Sequence, residues 1–157
     1  SKTSDLNSSS APAFNRGLVI LLVEDNEDTQ LLIRAFLKGT IHSLEIASDG
    51  AQGVEQFKNG QFDLVLMDMQ MPEMDGHEAT RRIRAHEQSR GTPKTMIVAL
   101  TAHAMKEDAA MSLAAGCDLH LSKPIQKKQF LAFISRIHGQ VGIAEGNSDR
   151  VTQLPAS

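Results

Sequence analysis

Three acidic residues follow apolar runs in this chain, and a parallel sheet would bring their carboxylates together. Glu24 and Asp25 come directly after the run 18–23, and Asp68 comes directly after the run 64–67. The carboxyl ends of parallel strands form the edge at which open α/β sheets bind ligands. Adjacent carboxylates are often only solvated loop residues, but three at one edge repel one another unless a cation binds. The three residues therefore predict a metal site.

Magnesium fits this set of oxygen ligands better than other metals do. Mg²⁺ takes near-octahedral oxygen ligation from one or two carboxylates, waters and usually a phosphoryl oxygen. The backbone carbonyl of Gln70, two residues after Asp68, is placed to complete the shell. No His and Cys residues cluster at zinc spacing, and no segment resembles the calcium loop of an EF-hand. We therefore expect Mg²⁺ as the cofactor.

Two further polar residues suggest phosphoryl chemistry. Thr101 follows the apolar run 96–100, and Lys123 precedes Pro124 after a short apolar segment. An aspartate can attack phosphorus and form an acyl phosphate when a metal and a cation neutralise the phosphoryl oxygens. Lys123 is the candidate cation and Thr101 a candidate hydrogen-bond donor, although a surface lysine and a helix N-cap threonine remain the structural alternatives.

Apolar runs alternate with segments of helical spacing along most of the chain. Leu32, Ala35 and Phe36 predict the packed face of the first helix, and a set of four residues spaced i, i+3, i+4, i+7 predicts that of the last. That set comprises Phe130, Phe133, Ile134 and Ile137. The predicted strands are 18–23, 43–47, 64–67, 96–100 and 119–121. Such alternation predicts a parallel sheet covered by helices on both faces, with right-handed crossovers.

Composition limits the class of protein and its partners. The chain has 157 residues, of which 41% are hydrophobic and 22% charged, as expected for one globular domain. A net charge of -3 argues against direct nucleic-acid binding. A lone Cys117 indicates a packed thiol in a cytoplasmic protein, and no run approaches the ~20 apolar residues that span a membrane. We expect no membrane contact by this segment.

The ends of the chain differ in composition from the middle. Residues 1–17 are rich in Ser, Asn, Ala and Pro, which predicts a disordered linker or a remnant of cloning. Periodicity is lost again after His138. We therefore expect a folded domain over 18–138 and a flexible C-terminal tail over 139–157.

Four motifs in order give the chain a family resemblance. They are Leu-Val-Glu-Asp-Asn at 22–26, Leu-Met-Asp-Met-Gln-Met-Pro-Glu-Met-Asp-Gly at 66–76, Ala-Leu-Thr-Ala at 99–102 and Leu-Ser-Lys-Pro at 121–124. Over 18–138 the chain resembles the receiver domain of two-component response regulators. The resemblance implies a flavodoxin-like (βα)5 fold, a doubly wound parallel five-stranded sheet of order 2-1-3-4-5.

The resemblance also assigns roles to individual residues. It implies that Asp68 is the phospho-acceptor and that Thr101 and Lys123 contact the phosphoryl group. The magnesium ligands that it implies are Glu24, Asp25, Asp68 and the backbone carbonyl of Gln70. It further implies a cis peptide between Lys123 and Pro124, a form that is rare in proteins.

Three positions are implied to tune the switch. The family couples Thr101 to an aromatic residue three positions before the lysine, which here is His120 rather than the usual Tyr or Phe. We favour a packing role for His120 over a pH-sensing one. Gln70 and His103 match two variable positions that influence how fast the acyl phosphate hydrolyses, although each is equally well a solvated loop residue.

The segments 98–105 and 116–125 look most like receivers attached to hybrid sensor histidine kinases. This implies a signalling domain rather than an enzyme, one that catalyses only its own phosphorylation and dephosphorylation. Any kinase activity would belong to a parent protein, which could also tether the domain to a membrane. The implied partner is a histidine kinase dimerisation domain or a histidine phosphotransfer protein. Phosphorylation would change the shape of the face made by helix four, strand five and helix five, with a homodimer as one outcome of activation.

Three competing interpretations can be weighed on the sequence. A phosphohydrolase of the haloacid-dehalogenase type needs a second acid two residues after the nucleophile, where this chain has Gln70. A pseudo-receiver that only binds partners would not need the intact acidic and basic residues. His86 loosely matches a kinase phospho-accepting box, but Gly91 and Pro93 interrupt the long helix that such a box requires.

Overall fold

The computed structural model describes residues 16–102 and 106–146, with the side chains of 106–109 and 142–146 left out of the description. His103 therefore lies outside the described residues. Within them, strands and helices alternate along the chain. The strands are β1 (Val19–Val23), β2 (Ser43–Ala47), β3 (Leu64–Asp68), β4 (Met96–Thr101) and β5 (Leu119–Ser122). The helices are α1 (Glu27–Leu37), α2 (Gly50–Asn59), α3 (Gly76–Arg90), α4 (Lys106–Ala115) and α5 (Lys127–Gly146).

The five strands form one parallel sheet of order β2-β1-β3-β4-β5, which confirms the predicted fold. β1 and β3 are neighbours in register, with Val23 opposite Met67. The strands at the centre are apolar along β1 and along β3 as far as Met67, as expected when both faces of a sheet are covered. α1 and α5 pack on one face of the sheet, and α2 and α3 pack on the other.

The packed face of α1 differs from the prediction. Ile33 and Leu37 are the buried residues of this helix, whereas Leu32 is 38% exposed and Ala35 is exposed. Phe36 is half-buried against the same core cluster. Because three apolar residues are consecutive at 31–33, apolar spacing alone does not decide which of them faces the sheet.

The last helix is longer than its sequence pattern predicted. The residues predicted to pack do so, since Phe130, Phe133, Ile134 and Ile137 are all buried. The helix then continues past His138 to Gly146. Val141, four residues after Ile137, packs against the same core and extends the apolar face by one turn.

The helix ends and the turns carry the residue types that their geometry needs. Asn26 caps α1, since its side chain accepts a hydrogen bond from the Thr29 N–H. Gly91 and Gly116 follow α3 and α4 with φ of 66° and 117°, in the left-handed region that favours glycine. Cys117 is buried, with its Sγ 3.7 Å from the Thr80 hydroxyl, so the predicted packed thiol is confirmed.

An ionic network, buried at Arg84 and Glu87 and exposed at Asp118, ties α3 to the start of β4 and the turn before β5. Arg84 lies 2.7 Å from Glu87 and 2.8 Å from Asp118, and its Nε donates to the Gly116 carbonyl. Glu87 also accepts a hydrogen bond from the Thr95 N–H. Every member of the network is paired, which is the condition under which buried charge is tolerated.

None of the described helices is long and apolar enough to cross a membrane.

Candidate metal and phosphoryl site

The three predicted carboxylates come together at the carboxyl edge of the sheet. Glu24 and Asp25 follow β1, and Asp68 is the last residue of the neighbouring β3. Each offers an oxygen, and these three oxygens all lie within 4.8 Å of one another. Glu24 is fully buried and Asp68 is 2% exposed, whereas Asp25 is exposed. The cluster is thus open to solvent on one side only.

Lys123 is the cation of this cluster. Its Nζ lies 3.0 Å from Glu24 Oε1 and 3.2 Å from Asp68 Oδ1. Burial alone lowers the pKa of this ammonium group, but its contacts with the two carboxylates outweigh burial and raise the pKa above its usual value. Lys123 therefore stays charged and bridges two carboxylates of the site.

Glu24 is the carboxylate of this cluster whose charged form the surroundings disfavour. Burial, and then the hydrogen bond and negative charge of Asp68, raise the pKa of Glu24 to about 7 in spite of Lys123. Its Oε2 accepts the Asn26 N–H at 3.2 Å. Its Oε1 makes the ion pair with Lys123 but accepts no hydrogen bond of good geometry from the described residues. This buried oxygen has coordination capacity to spare.

The residue set fits a divalent cation. Two buried carboxylates and one exposed carboxylate give hard oxygen donors, and one lysine does not balance their charge. A cation at the solvent-open side would relieve both the mutual repulsion and the raised pKa of Glu24. Among the described residues, this is the one such group of acidic, His or Cys side chains that converges on a metal-sized space.

Thr101 is brought to the site by the register of β4 and β5. It is the last residue of β4 and is 5% exposed. Its carbonyl accepts the Lys123 N–H at 2.8 Å, which joins the threonine and the lysine across neighbouring strand ends. The peptide between Lys123 and Pro124 is cis, as the resemblance implied.

The loop after β3 wraps the acidic cluster. The Gln70 N–H donates to Asp68 Oδ1 at 3.1 Å, while the Gln70 residue itself is exposed. Gly76 lies so close to β3 that a Cβ atom there would be 2.3 Å from the Asp68 carbonyl oxygen. Glu73, between them, has φ of 65°. The loop therefore reaches the site through backbone contacts.

His120 is exposed on β5 rather than packed, which differs from the packing role that we favoured. It lines a groove of about 260 Å³ between β5 and α5, with Ser122, Gln126 and Phe130 among its neighbours. His86, by contrast, is half-buried and sits edge-on to the Phe57 ring at 6.3 Å, away from the acidic cluster.

One contact at the site was not predicted from the sequence. The Gln30 side chain on α1 donates to the Glu24 carbonyl at 2.6 Å and lies 3.5 Å from the Ser48 hydroxyl after β2. It joins the ends of β1 and β2 next to the acidic pair. The only sequence signal was a polar residue in the early part of a helix that follows the acidic pair.

The comparison with known families agrees with this geometry. Residues 20–135 match the model of the response regulator receiver domain. The chain belongs to the response regulator receiver family. As a member it is a phospho-accepting receiver domain of two-component phosphorelay signalling.

The curated relatives of this receiver domain are much longer proteins, and the chain aligns with a small part of each. This receiver domain is 46% identical over 122 residues to hybrid signal transduction histidine kinase G of Dictyostelium discoideum, an alignment that covers 76% of this chain and 4% of the relative. The chain spans between 4% and 15% of the length of such curated relatives. The predicted likeness to receivers of hybrid sensor kinases is thereby confirmed.

Two solved structures are close to this receiver domain. One is the receiver domain of a sensor histidine kinase from Pseudomonas aeruginosa PAO1, with a magnesium ion coordinated in its active site cleft. It is 37% identical with a TM-score of 0.69 and covers 78% of this chain and 98% of that chain. The other is the receiver domain of the Saccharomyces cerevisiae response regulator Ssk1 with the histidine phosphotransfer protein Ypd1. It is 30% identical with a TM-score of 0.73, covering 83% and 92%.

Proposed function

We propose that Asp68 accepts a phosphoryl group from a phosphohistidine of a partner. An Asp68 carboxylate oxygen would form the new O–P bond as the P–N bond of the phosphohistidine breaks, and the imidazole would leave with the electron pair. The observation that carries this proposal is the position of Asp68. It is nearly buried, shares Lys123 with Glu24, and has an oxygen within 4.8 Å of one on Asp25, the exposed member of the acidic cluster.

Glu24, Asp25, Asp68 and the Gln70 carbonyl are the residues that we assign to hold Mg²⁺. When bound, the ion would neutralise negative charge on the phosphoryl oxygens. The fit of three oxygen donors and the surplus capacity of Glu24 Oε1 support this assignment. The magnesium ion in the related Pseudomonas aeruginosa receiver domain supports it as well.

Lys123 and Thr101 act on the product of the transfer. Lys123 already contacts Asp68 and is the countercharge for the acyl phosphate, while the Thr101 hydroxyl would donate a hydrogen bond to the phosphoryl group. That new bond would shift a two-state equilibrium of the face made by α4, β5 and α5. The exposed His120 side chain on this face would change position together with Thr101. Gln70 and His103 would set the rate at which the acyl phosphate hydrolyses.

The partner that fits this chemistry is a histidine phosphotransfer protein or the dimerisation domain of a histidine kinase. The complex of the yeast Ssk1 receiver with Ypd1 supports the first kind. We place the domain in the cytoplasm, where only a parent kinase would tether it to a membrane. A homodimer is one outcome of its activation. We expect no direct nucleic-acid binding, because the net charge is -3. We also expect no steady turnover of a phosphomonoester, since Gln70 stands where a phosphohydrolase has its second acid.

Labelling with a small phosphodonor tests the assignment of Asp68. We expect acetyl phosphate with Mg²⁺ to add one phosphoryl group to the wild-type chain, measured by intact mass, and to add none to Asp68→Asn. Asp49→Asn is the matched control, since Asp49 caps α2 through a bond to the Gln52 N–H that asparagine also makes. It should be labelled like the wild type. Equal labelling of Asp68→Asn would refute the assignment, and steady release of phosphate from a phosphomonoester would favour the phosphohydrolase.

A further inference from the structure

A second polar cluster lies at the amino edge of the sheet, opposite the phosphoryl site. Arg16 makes a bidentate ion pair with Asp63, with distances of 2.8 and 3.2 Å between its guanidinium nitrogens and the carboxylate oxygens. The Arg16 carbonyl lies 2.7 Å from His138 Nε2 on α5. Arg16 precedes β1 and Asp63 precedes β3, so neither can reach the site at the carboxyl edge.

The next two residues of the entering chain are held as firmly. A Cβ atom on Gly17 would lie 1.9 Å from the Ile41 carbonyl oxygen, so only glycine fits against this backbone. The Leu18 N–H donates to His42 Nδ1 at 2.9 Å, and Leu18 is fully buried. The three residues 16–18 are thus fixed by an ion pair, a close backbone contact and two histidine hydrogen bonds.

The two histidines have opposite requirements for a proton. An N–H only donates, so His42 can accept from Leu18 only while its Nδ1 is unprotonated. A carbonyl only accepts, so His138 must carry a proton on Nε2 to bond to Arg16. A second proton on the His138 ring does not disturb that bond, whereas a second proton on His42 removes the acceptor.

The surroundings of His42 oppose its protonation. Its ring meets the His138 ring edge-on at 5.2 Å, so two protonated rings would repel. Arg16 on the entering segment is cationic, and the nearby Asp63 is neutralised by Arg16. Burial, and then the charge of His138, lower the pKa of His42 below its usual 6.5. A lowered pKa means that the Leu18 bond is formed above about pH 6.5 and is lost as the pH falls through the pKa of His42.

We propose that residues 16–18 form an acid-sensitive clamp that fixes how the chain enters this domain, and that protonation of His42 releases it. The clamp binds residues 16–18 to the residues just before β2, to Asp63 just before β3, and to α5. Release frees that segment at the amino edge without touching Asp68 at the carboxyl edge. In a protein that carries this domain behind another one, the clamp would set the direction of the connecting chain and acid would loosen it.

Hydrogen exchange followed by NMR on the full chain tests the clamp. We expect the protection factor of the Leu18 amide, corrected for intrinsic exchange, to fall about tenfold between about pH 7.5 and about pH 5.5. The amide of Ile20, inside β1, should change much less, since its bonds do not involve a histidine. A direct NMR titration should place the pKa of His42 below its usual value of 6.5.

Three variants separate the clamp from general acid instability. His42→Asn places an amide oxygen where His42 has Nδ1, and this oxygen accepts at any pH, so the Leu18 protection of this variant should be independent of pH. Asp63→Asn should lower Leu18 protection at every pH and leave the pH dependence intact, and His86→Gln should leave both unchanged. The proposal is overturned if His42→Asn keeps the wild-type pH dependence, or if Leu18 and Ile20 lose protection in parallel.

Discussion

Glu73 is the non-glycine residue with a positive φ in the described part of the chain. Its strained backbone lies in the loop that follows Asp68. A left-handed conformation costs a side-chain-bearing residue roughly 1 to 2 kcal/mol. Glycine has no such cost, but it gives the unfolded chain extra entropy worth about 0.5 to 1 kcal/mol. The strain is the larger effect.

We therefore expect Glu73→Gly to raise the free energy of unfolding by roughly 0.5 to 1 kcal/mol, measured by urea denaturation. Glu73→Asn, which tolerates the same conformation and also removes the charge, should fall between glycine and wild type. Ala35→Gly on the exposed side of α1 is the control and should cost about 1 kcal/mol. Equal losses in Glu73→Gly and Ala35→Gly would show that Glu73 carries no strain.

The elements that position the site differ in how far the sequence predicted them. The carboxyl ends of β1 and β3 were predictable, because apolar runs mark buried strands and parallel strands share one edge. The phase of α1 was not, since Leu31, Leu32 and Ile33 are consecutive and only packing selects Ile33. The length of α5 was hidden by Gly139, whose low helix propensity is overridden by the contact of Val141 with the core.

Contacts made through loop backbone were the hardest to predict. The donation from Gln30 to the Glu24 carbonyl and the approach of Gly76 to β3 depend on the path of two loops. Hydrophobic periodicity carries no information about such paths. A motif that ends in glycine indicates a turn but not which backbone it touches.

Gly76 places the start of α3 directly against the strand that carries Asp68. A Cβ atom there would lie 2.3 Å from the Asp68 carbonyl oxygen and 2.7 Å from the Met69 Cα. Both are backbone atoms, so the helix or the strand end must move. We expect Gly76→Ala to lower the free energy of unfolding by roughly 1 to 3 kcal/mol and to weaken Mg²⁺ binding measured by calorimetry.

Gly139→Ala is the matched control for this substitution. Gly139 lies within α5 with nothing near its would-be Cβ atom, so alanine should stabilise the protein by roughly 0.5 to 1 kcal/mol and leave Mg²⁺ affinity unchanged. Unchanged Mg²⁺ affinity in Gly76→Ala would mean that the seat of α3 does not position the acidic cluster.

At the scale of the whole molecule, the sheet separates two polar centres. Residues that follow strands make the phosphoryl site, and residues that precede strands make the clamp around Arg16 and His42. The site concentrates negative charge that the fold alone does not neutralise, since Lys123 pairs with only two of the three carboxylates, Glu24 and Asp68. The free energy of unfolding should therefore depend on a ligand that supplies positive charge.

Binding of Mg²⁺ to the folded chain should stabilise it by mass action, by about 2.7 kcal/mol at one hundred times the dissociation constant. Urea denaturation with MgCl₂ against NaCl of equal ionic strength measures this difference. Asp25→Asn removes an exposed carboxylate from the cluster, so without Mg²⁺ it should be at least as stable as the wild type, because one repulsion is gone. With Mg²⁺ it should gain much less. The metal assignment would be refuted if MgCl₂ stabilised the wild type no more than NaCl does, or if it stabilised Asp25→Asn as much as the wild type. Neither result would bear on the acid-sensitive clamp.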